Sequence, residues 1–167
     1  IEGTPVEFKT TRAALNSGIA VIYQELNLVP EMTVAENLFL GHMPKYRSRF
    51  IDFKALYQRA SEELKFIMED IDPRKLIKNL PIAQRQMIEI AKALLKNAKI
   101  IAFDEPTSSL SEMETRHLFQ IIRDLKRQGK CIIYVSHRLE EIFEVCDSVT
   151  VFRDGKCIET FRSIENV

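Results

Sequence analysis

The sequence predicts an α/β fold in which a parallel sheet is interrupted by a helical insertion. Three short apolar runs, at 19–23, 99–103 and 131–135, are typical of buried parallel strands. Amphipathic segments around them carry apolar residues at the i, i+3, i+4, i+7 spacing of helices. The stretch from about 24 to 96 is mostly helical by the same criterion. We therefore expect an α/β core with a helical region inserted into it.

The N-terminal part predicts a strand at 5–9, a short helix at 11–17 and a second strand at 19–23. Gly18 suits the left-handed position just past a helix end. The first residue is Ile1 rather than Met, and the strand at 5–9 is already under way. We therefore expect this chain to be cut from a longer one.

Polar residues predict where three helices begin. Thr33 and Glu36 have the spacing of a capping box, and Ser111 and Glu114 repeat it. Asp52 precedes a third helical pattern as its N-cap. These signals are local, so they fix the helix starts independently of the rest of the fold.

Near the C-terminus the sequence predicts a β-hairpin. Apolar segments at 148–153 and 156–161 flank Asp154 and Gly155. An Asp-Gly pair between two such segments is a strong signal for a two-residue hairpin turn. The hairpin completes an order of strand-helix-strand, helical insertion, strand-helix-strand-helix and hairpin.

Composition and charge disfavour several classes of protein. The chain has 24 Lys and Arg against 24 Asp and Glu, so it lacks the basic field typical of nucleic-acid binders. No apolar run is long enough to span a membrane, and the N-terminus does not resemble a signal peptide. Cys131, Cys146 and Cys157 are odd in number and lack Cys-x-x-Cys spacing. We expect them to be buried thiols in a reducing cytosol rather than a disulfide framework or a zinc site.

The sharpest chemical signal is a pair of carboxylates, Asp104 and Glu105, at the end of the apolar run 99–103. Open α/β sheets bind ligands at the carboxyl ends of their strands. One carboxylate there can hold Mg²⁺ through water, and its neighbour can polarise a water for attack on a γ-phosphate. The plainer interpretation is an acidic pair that caps a strand or the next helix.

Three further signals are weak when taken singly. His137 follows the run 131–135 and Gln24 follows the run 19–23, although strands commonly end on such polar residues. The segment 80–84 opens a helix, whose free N–H groups could face an anion. An ordinary helix start explains that segment equally well.

Together these motifs resemble, in order and over the whole chain, those of ATP-binding-cassette (ABC) transporter ATPases. Gln24 is similar to the Q-loop, and residues 80–84 are similar to the signature motif. Asp104 and Glu105 resemble the Walker B end, Ser108–Ser109–Leu110 resembles the D-loop, and His137 resembles the H-loop.

The resemblance is narrower in some segments. Residues 23–30, 104–111 and 134–143 look like the importer ATPases for monosaccharides. Residues 29–37 and 102–105 most resemble the first cassette of importer ATPases for arabinose. The family is well specified by these motifs, whereas the sugar is not.

The resemblance implies a fold and a division of the chain. The fold would be an incomplete RecA-like P-loop NTPase core at 1–23 and 97–167, with a Q-loop and helical signature subdomain at 24–96.

The resemblance also implies roles for individual residues, with ATP and Mg²⁺ as cofactors. Asp104 would hold Mg²⁺ through water, Glu105 would be the general base, and Gln24 and His137 would contact the metal and the γ-phosphate. The remaining nucleotide-binding positions would be Leu80, Pro81, Ile82, Ala83, Gln84 and Ser109.

The sequence departs from the family in two places. The Walker A pattern G-x-x-x-x-G-K-S/T is absent, because no two of the five glycines are five positions apart. In the family this loop lies upstream of the position of Ile1. Pro81 and Ala83 replace the Ser and the second Gly of the signature L-S-G-G-Q. Pro81 offers neither hydroxyl nor N–H, so we expect slow hydrolysis at this half-site.

The implied function is the nucleotide-binding subunit of an importer that couples ATP hydrolysis to uptake of an arabinose-, ribose- or galactose-like sugar. The implied partners are membrane permease subunits docked at a groove of the helical subdomain, a second cassette, and indirectly a sugar-binding protein, but no nucleic acid. The implied location is the cytoplasmic face of the cell membrane.

Two alternatives stay open: a catalytically dead cassette that acts only by docking, and an ABC-type ATPase of nucleic-acid repair or ribosome function. The short interval between Gln24 and Leu80 disfavours a repair ATPase with a long coiled coil.

Overall fold

A computed structural model describes residues 1–65, 67, 71–96 and 98–164. The described chain folds into helices and strands in the order α1, β1, α2, α3, α4, β2, α5, β3, α6, β4, β5. The helices are α1 Thr11–Asn16, α2 Val34–Leu38, α3 Phe53–Leu64, α4 Ile82–Leu94, α5 Glu112–Arg127 and α6 Leu139–Val145. The strands are β1 Ile19–Ile22, β2 Ile100–Asp104, β3 Cys131–Val135, β4 Val149–Arg153 and β5 Lys156–Phe161. A 3₁₀ turn, Ile77–Asn79, precedes α4.

Within the described ranges, the central sheet has three parallel strands in the order β1-β2-β3. Its register aligns Ile22 with Phe103 and Phe103 with Tyr134, so the three strands end at the same level. Parallel neighbours need crossover connections, which here contain the helical insertion and α5 respectively. The prediction of a mixed α/β fold with an inserted helical region is confirmed.

The two faces of this sheet differ in burial. On one face Ile22, Ile101 and Phe103 are almost inaccessible and belong to the main hydrophobic core with α4 and α5. On the other face Ile133 and Val135 of β3 are each 50% exposed. The expectation of a strand buried on both faces is therefore wrong for β3. Among the described residues β3 is an edge strand, and no described helix covers its outer face.

The helix starts agree with the local signals. Thr33 and Glu36 form a reciprocal capping box at α2, and Ser111 and Glu114 form another at α5. The Asp52 carboxylate accepts a hydrogen bond from the backbone N–H of Ala55 at the start of α3. Each cap satisfies backbone donors that the first helical turn leaves unpaired.

The insertion is held together by apolar contacts among α2, α3 and α4. Their buried apolar residues are Val34, Ala35, Leu38, Leu56, Ala60, Leu64, Met87, Ile88, Ile90, Ala91 and Ala93. Asn37 is also fully buried, and its side chain exchanges hydrogen bonds with both the N–H and the C=O of Val29. The segment after β1 is thereby fastened to α2.

The segment 5–9 does not form the predicted strand. Residues in this segment pair with no strand in the described part of the chain, and Val6 is 50% exposed. Its apolar alternation therefore lacks both the backbone partner and the buried surface that stabilise a strand.

The hairpin at the C-terminal end is confirmed. β4 and β5 pair antiparallel in a sheet of their own. Asp154 and Gly155 have φ values of 51° and 72°, as the predicted turn requires.

The three cysteine thiols are less buried than the sequence predicts. Cys131 and Cys157 are exposed and Cys146 is partly buried, so the prediction of three buried thiols is wrong. Cys131 lies on the open face of β3, and Cys157 lies in the exposed hairpin. Within the described ranges, every helix is too short or too polar to cross a lipid bilayer.

Candidate functional site

Three polar side chains meet at the carboxyl ends of the three parallel strands. Gln24 lies just after β1, Glu105 directly after β2, and His137 just after β3. Because parallel strands end at a common edge, residues distant in sequence come together there. The structure thus brings together three of the residues that the sequence singled out.

Glu105 is the centre of this cluster. Its Oε2 accepts a hydrogen bond from Nε2 of Gln24 at 3.2 Å, and its Oε1 lies 2.9 Å from Nδ1 of His137. Its backbone N–H donates to the carbonyl of Val135 at 2.9 Å. The side chain of Glu105 is 29% exposed, and that of His137 is 73% exposed. The carboxylate is therefore held on both oxygens, yet it stays open to solvent and to a small substrate.

The backbone at Glu105 is left-handed, with a φ of 45°. Such a conformation is uncommon for residues other than glycine and costs on the order of 1 kcal/mol. The left-handed residue comes immediately after Asp104, the last residue of β2. Strain of this kind concentrates at functional sites, where the surrounding hydrogen bonds hold it in place.

Asp104 lies beside this cluster in an open surface depression. The depression is lined by Tyr23, Gln24, Glu25, Asn27 and Asp104. The amide nitrogen of Gln24 donates to Glu105, so its amide oxygen is the atom that remains for a cation. One carboxylate and one amide oxygen suit Mg²⁺, which keeps several waters and binds substrate phosphates as its other ligands. Among the described residues, no three His, Cys, Asp or Glu side chains gather as a metal site.

A buried carboxylate, Glu141 of α6, lies behind the site. It is 3% exposed, and its oxygens accept hydrogen bonds from three hydroxyl groups, those of Thr107, Tyr134 and Ser136. The guanidinium of Arg138 lies 2.8 Å from it as an ion pair. Burial, together with the neighbouring Glu141 carboxylate, raises the pKa of the Tyr134 hydroxyl. This hydroxyl therefore stays protonated and donates.

The sequence reasoning missed this second cluster. Glu140 and Glu141 together resemble the solvated face of a short helix, although Glu141 has the i, i+4 spacing from the buried Val145. That spacing was the available signal. Thr107 was also missed, because it is one of several hydroxyl residues in the turn after β2.

The segment 80–84 forms the start of α4, as predicted. Pro81 is the N-cap of the helix and makes no side-chain cap, and Leu80 is buried. Ile82 is 52% exposed, whereas Ala83 and Gln84 are partly buried. Arg85 braces the turn, because its guanidinium donates to the carbonyls of Leu80 and Lys78.

Residues 80–84 and Ser109 stand apart from Glu105. In the described part of the chain, none of the side-chain hydrogen bonds or ion pairs joins them to Gln24, Glu105 or His137. Ser109 is partly buried in the turn between β2 and α5. Their predicted roles toward nucleotide therefore stay predictions.

A family model and curated relatives identify the kind of protein. The model for "ABC transporter" matches residues 1–108. The chain is 57% identical over 167 residues to Arabinose import ATP-binding protein AraG 2 of Burkholderia cenocepacia (strain HI2424), covering 100% of this chain and 32% of that protein. It is 53% identical over 167 residues to Arabinose import ATP-binding protein AraG of Escherichia coli O157:H7, covering 100% of this chain and 33% of that protein. The chain thus spans about a third of the length of these relatives.

Solved structures share the fold. The ADP conformation of MJ1267, an ATP-binding cassette of an ABC transporter, superposes with a TM-score of 0.74 at 24% identity, over 94% of this chain and 65% of that one. A dimeric post-hydrolysis state of the ATP-binding cassette MJ0796 bound to ADP and phosphate gives a TM-score of 0.72 at 27% identity, over 86% of this chain and 62% of that one. Since the family model covers more than half of the chain, and the sheet matches these cassettes, this chain belongs to the ABC transporter family and has the mixed α/β fold of its ATP-binding cassettes.

Proposed function

We propose that this chain supplies residues that catalyse hydrolysis in an importer ATPase. The importer would couple ATP hydrolysis to uptake of a monosaccharide. The observation that carries the proposal is the meeting of Gln24, Glu105 and His137 at one edge of the sheet. The arrangement suits an attack by water on a terminal phosphate, because a partly exposed carboxylate there has both oxygens oriented by neighbours.

In this mechanism Glu105 accepts the proton of the attacking water. The water oxygen bonds to the γ-phosphorus, the bond from that phosphorus to the bridging oxygen breaks, and ADP and phosphate leave. Gln24 and His137 hold the two oxygens of the carboxylate, and His137, being 73% exposed, is free to contact a γ-phosphate oxygen. Asp104 and the amide oxygen of Gln24 would hold Mg²⁺, which neutralises phosphate charge when it is bound.

The phosphate cradle is the element that these 167 residues lack, since they contain no G-x-x-x-x-G-K-S/T pattern. Backbone N–H groups of that loop and its Lys provide most of the contacts to the phosphates in P-loop enzymes. We therefore propose that this sequence hydrolyses ATP as part of a larger protein and binds ATP-Mg²⁺ weakly by itself.

The proposed substrate class and partners follow the similarity to the arabinose import proteins. Residues 24–96 would form the subdomain that docks to permease subunits, and 1–23 with 97–167 would form the RecA-like core. Residues 80–84 and Ser109 would face nucleotide held by a second cassette. The protein would work at the cytoplasmic face of the membrane, receiving sugar indirectly from a binding protein.

Two measurements test the proposal. Titration calorimetry of this chain with ATP-Mg²⁺ should show no binding at micromolar concentrations, and micromolar affinity would contradict the need for a separate phosphate cradle. Vesicles containing the complete importer should accumulate arabinose only when they contain ATP. Uptake without ATP would overturn the proposed coupling.

A further inference from the structure

We propose that Glu141 is a positioning residue that holds His137 in place against Glu105. The inference rests on the proposed function for its purpose, since the Glu105–His137 contact is the one proposed to serve hydrolysis. Its geometry does not depend on nucleotide. One buried carboxylate connects the two loops that carry these side chains.

Glu141 gathers its donors from both loops. Oε1 accepts from the Thr107 hydroxyl at 2.7 Å, and Oε2 accepts from the hydroxyls of Tyr134 at 2.8 Å and Ser136 at 3.0 Å. Thr107 belongs to the turn after β2, whereas Tyr134 and Ser136 belong to the end of β3 and the loop beyond it. One side chain thus bridges the two strand ends.

The contacts of Glu141 fall on either side of His137. Ser136 precedes the histidine and bonds to Oε2, and Arg138 follows it and pairs with Oε1 at 2.8 Å. The Ser136 hydroxyl also accepts a hydrogen bond from the backbone N–H of Arg138 at 3.0 Å. His137 is therefore the exposed tip of a three-residue turn whose two flanking residues are both fastened to the same carboxylate.

Thr107 fixes the other partner in the same way. It lies two residues after Glu105, is 3% exposed, and has its hydroxyl committed to Glu141. The left-handed backbone at Glu105 needs such support, since strained conformations persist only where the surroundings determine them. Glu141 therefore sets the separation between the Glu105 turn and the His137 turn.

A carboxylate suits this place better than an amide. Its oxygens only accept, and here they meet three hydroxyl donors and one guanidinium. A buried carboxylate without such partners would be costly, so the set of four donors stabilises the charge where it lies. If Glu141 only anchored α6, contacts with the chain segment next to that helix would be enough. The hydrogen bond from Thr107 instead comes from the turn after β2.

The test reads the His137 ring directly. A carboxylate oxygen only accepts, so the bond to Glu105 requires a proton on Nδ1 of His137. Nitrogen-15 NMR of the imidazole distinguishes this tautomer from the Nε2-protonated one in the neutral ring. The spectrum of the full chain is recorded without nucleotide, and His137→Asn assigns its signals against those of His42 and His117.

Thr107→Val is the principal variant, because it keeps the shape of the side chain and removes only the bond across the loops. We expect it to lose the Nδ1-protonated signature of His137, and Thr107→Ser to keep it. Glu141→Leu should lose it as well. The matched control is Glu144→Gln on the same helix, whose carboxylate is exposed and pairs with Arg123; this variant should keep the signature.

The outcomes are decisive in each case. Retention of the signature in folded Thr107→Val, or its absence from the unsubstituted chain, would overturn the proposal. If Glu141→Leu fails to fold, the comparison of Thr107→Val with Thr107→Ser decides alone. A complete protein that did not hydrolyse ATP would contradict the proposed function and leave this NMR result unaffected.

Discussion

The Oε1 atom of Glu105 lies 2.9 Å from Nδ1 of His137, although 32 residues separate them in sequence. The parallel register explains the contact, because Asp104 is paired with Val135 and both strands end at that level. The backbone N–H of Glu105 also donates to the carbonyl of Val135. This hydrogen bond joins the chain segment that leaves β2 to the end of β3. The sheet register therefore brings the two strand ends, and the residues that follow them, to the same edge.

Replacing Glu105 by Gln should abolish turnover in a complete ABC ATPase that contains this sequence. The amide keeps the shape of the side chain but cannot accept the proton of the attacking water. We expect hydrolysis to fall by about 10²- to 10⁴-fold, the usual contribution of a general base, with ATP still bound. Steady-state phosphate release and retention of labelled ATP measure the two effects.

The control for that substitution is Glu112→Gln, a carboxylate that is 94% exposed at the start of α5. It should leave phosphate release within experimental error of the unsubstituted protein. Undiminished hydrolysis in Glu105→Gln would remove Glu105 from the role of base.

The left-handed backbone at Glu105 makes a separate prediction about stability. Glu105→Gly and Glu105→Ala both remove the side-chain bonds and differ only in the Cβ atom. Because φ is 45° at this position, the Gly variant should be more stable than the Ala variant by about 1 kcal/mol in urea unfolding.

At Gln120, an exposed position inside α5, the order should be reversed by about 0.5–1 kcal/mol in favour of Ala. The two positions together separate backbone strain from a general effect of Gly. Equal stability of the two Glu105 variants would mean that the left-handed turn is not populated in solution.

Much of the fold and the central cluster could be predicted from local patterns. The capping boxes at Thr33 and Ser111 depend only on neighbouring residues, and the strand ends carry Gln24, Glu105 and His137 to one edge by the rule for parallel sheets. Interactions that depend on what covers a surface could not be predicted. Both faces of β3 carry apolar residues, so the sequence of this strand did not indicate that one face would be open.

The Glu141 cluster escaped for a different physical reason. A buried carboxylate is stable only through partners, and its partner Thr107 is 34 residues away in sequence. No sequence spacing at either residue predicts that the two side chains are in contact. The strand expected at 5–9 failed in the converse way, because an apolar alternation forms a strand only where a paired backbone is available.

The open face of the sheet can be tested with two substitutions of the same type. Ile101 is 1% exposed and faces the core, whereas Ile133 is 50% exposed on the opposite face of the neighbouring strand. Ile101→Ala should lower the free energy of unfolding of the chain by about 2–5 kcal/mol. Ile133→Ala should lower it by less than about 1 kcal/mol, because little buried surface is lost. Urea unfolding measures both, and equal losses would show that this face is covered in the folded protein.

Replacing Pro81, the N-cap of α4, by Ser should speed ATP hydrolysis in a complete protein. In the family the corresponding Ser donates to the γ-phosphate of nucleotide held by the partner cassette, and Pro81 has neither a hydroxyl nor an N–H to donate. As the N-cap it makes no side-chain hydrogen bond to the helix, so Ser fits the position and can cap α4 as well. In a complete protein Pro81→Ser should raise turnover on the order of 10-fold, since one well-placed donor to transition-state charge contributes at least that much. Pro81→Ala adds the N–H without the hydroxyl and separates the two contributions. A Pro81→Ser protein that turns over no faster would mean that this position does not limit hydrolysis.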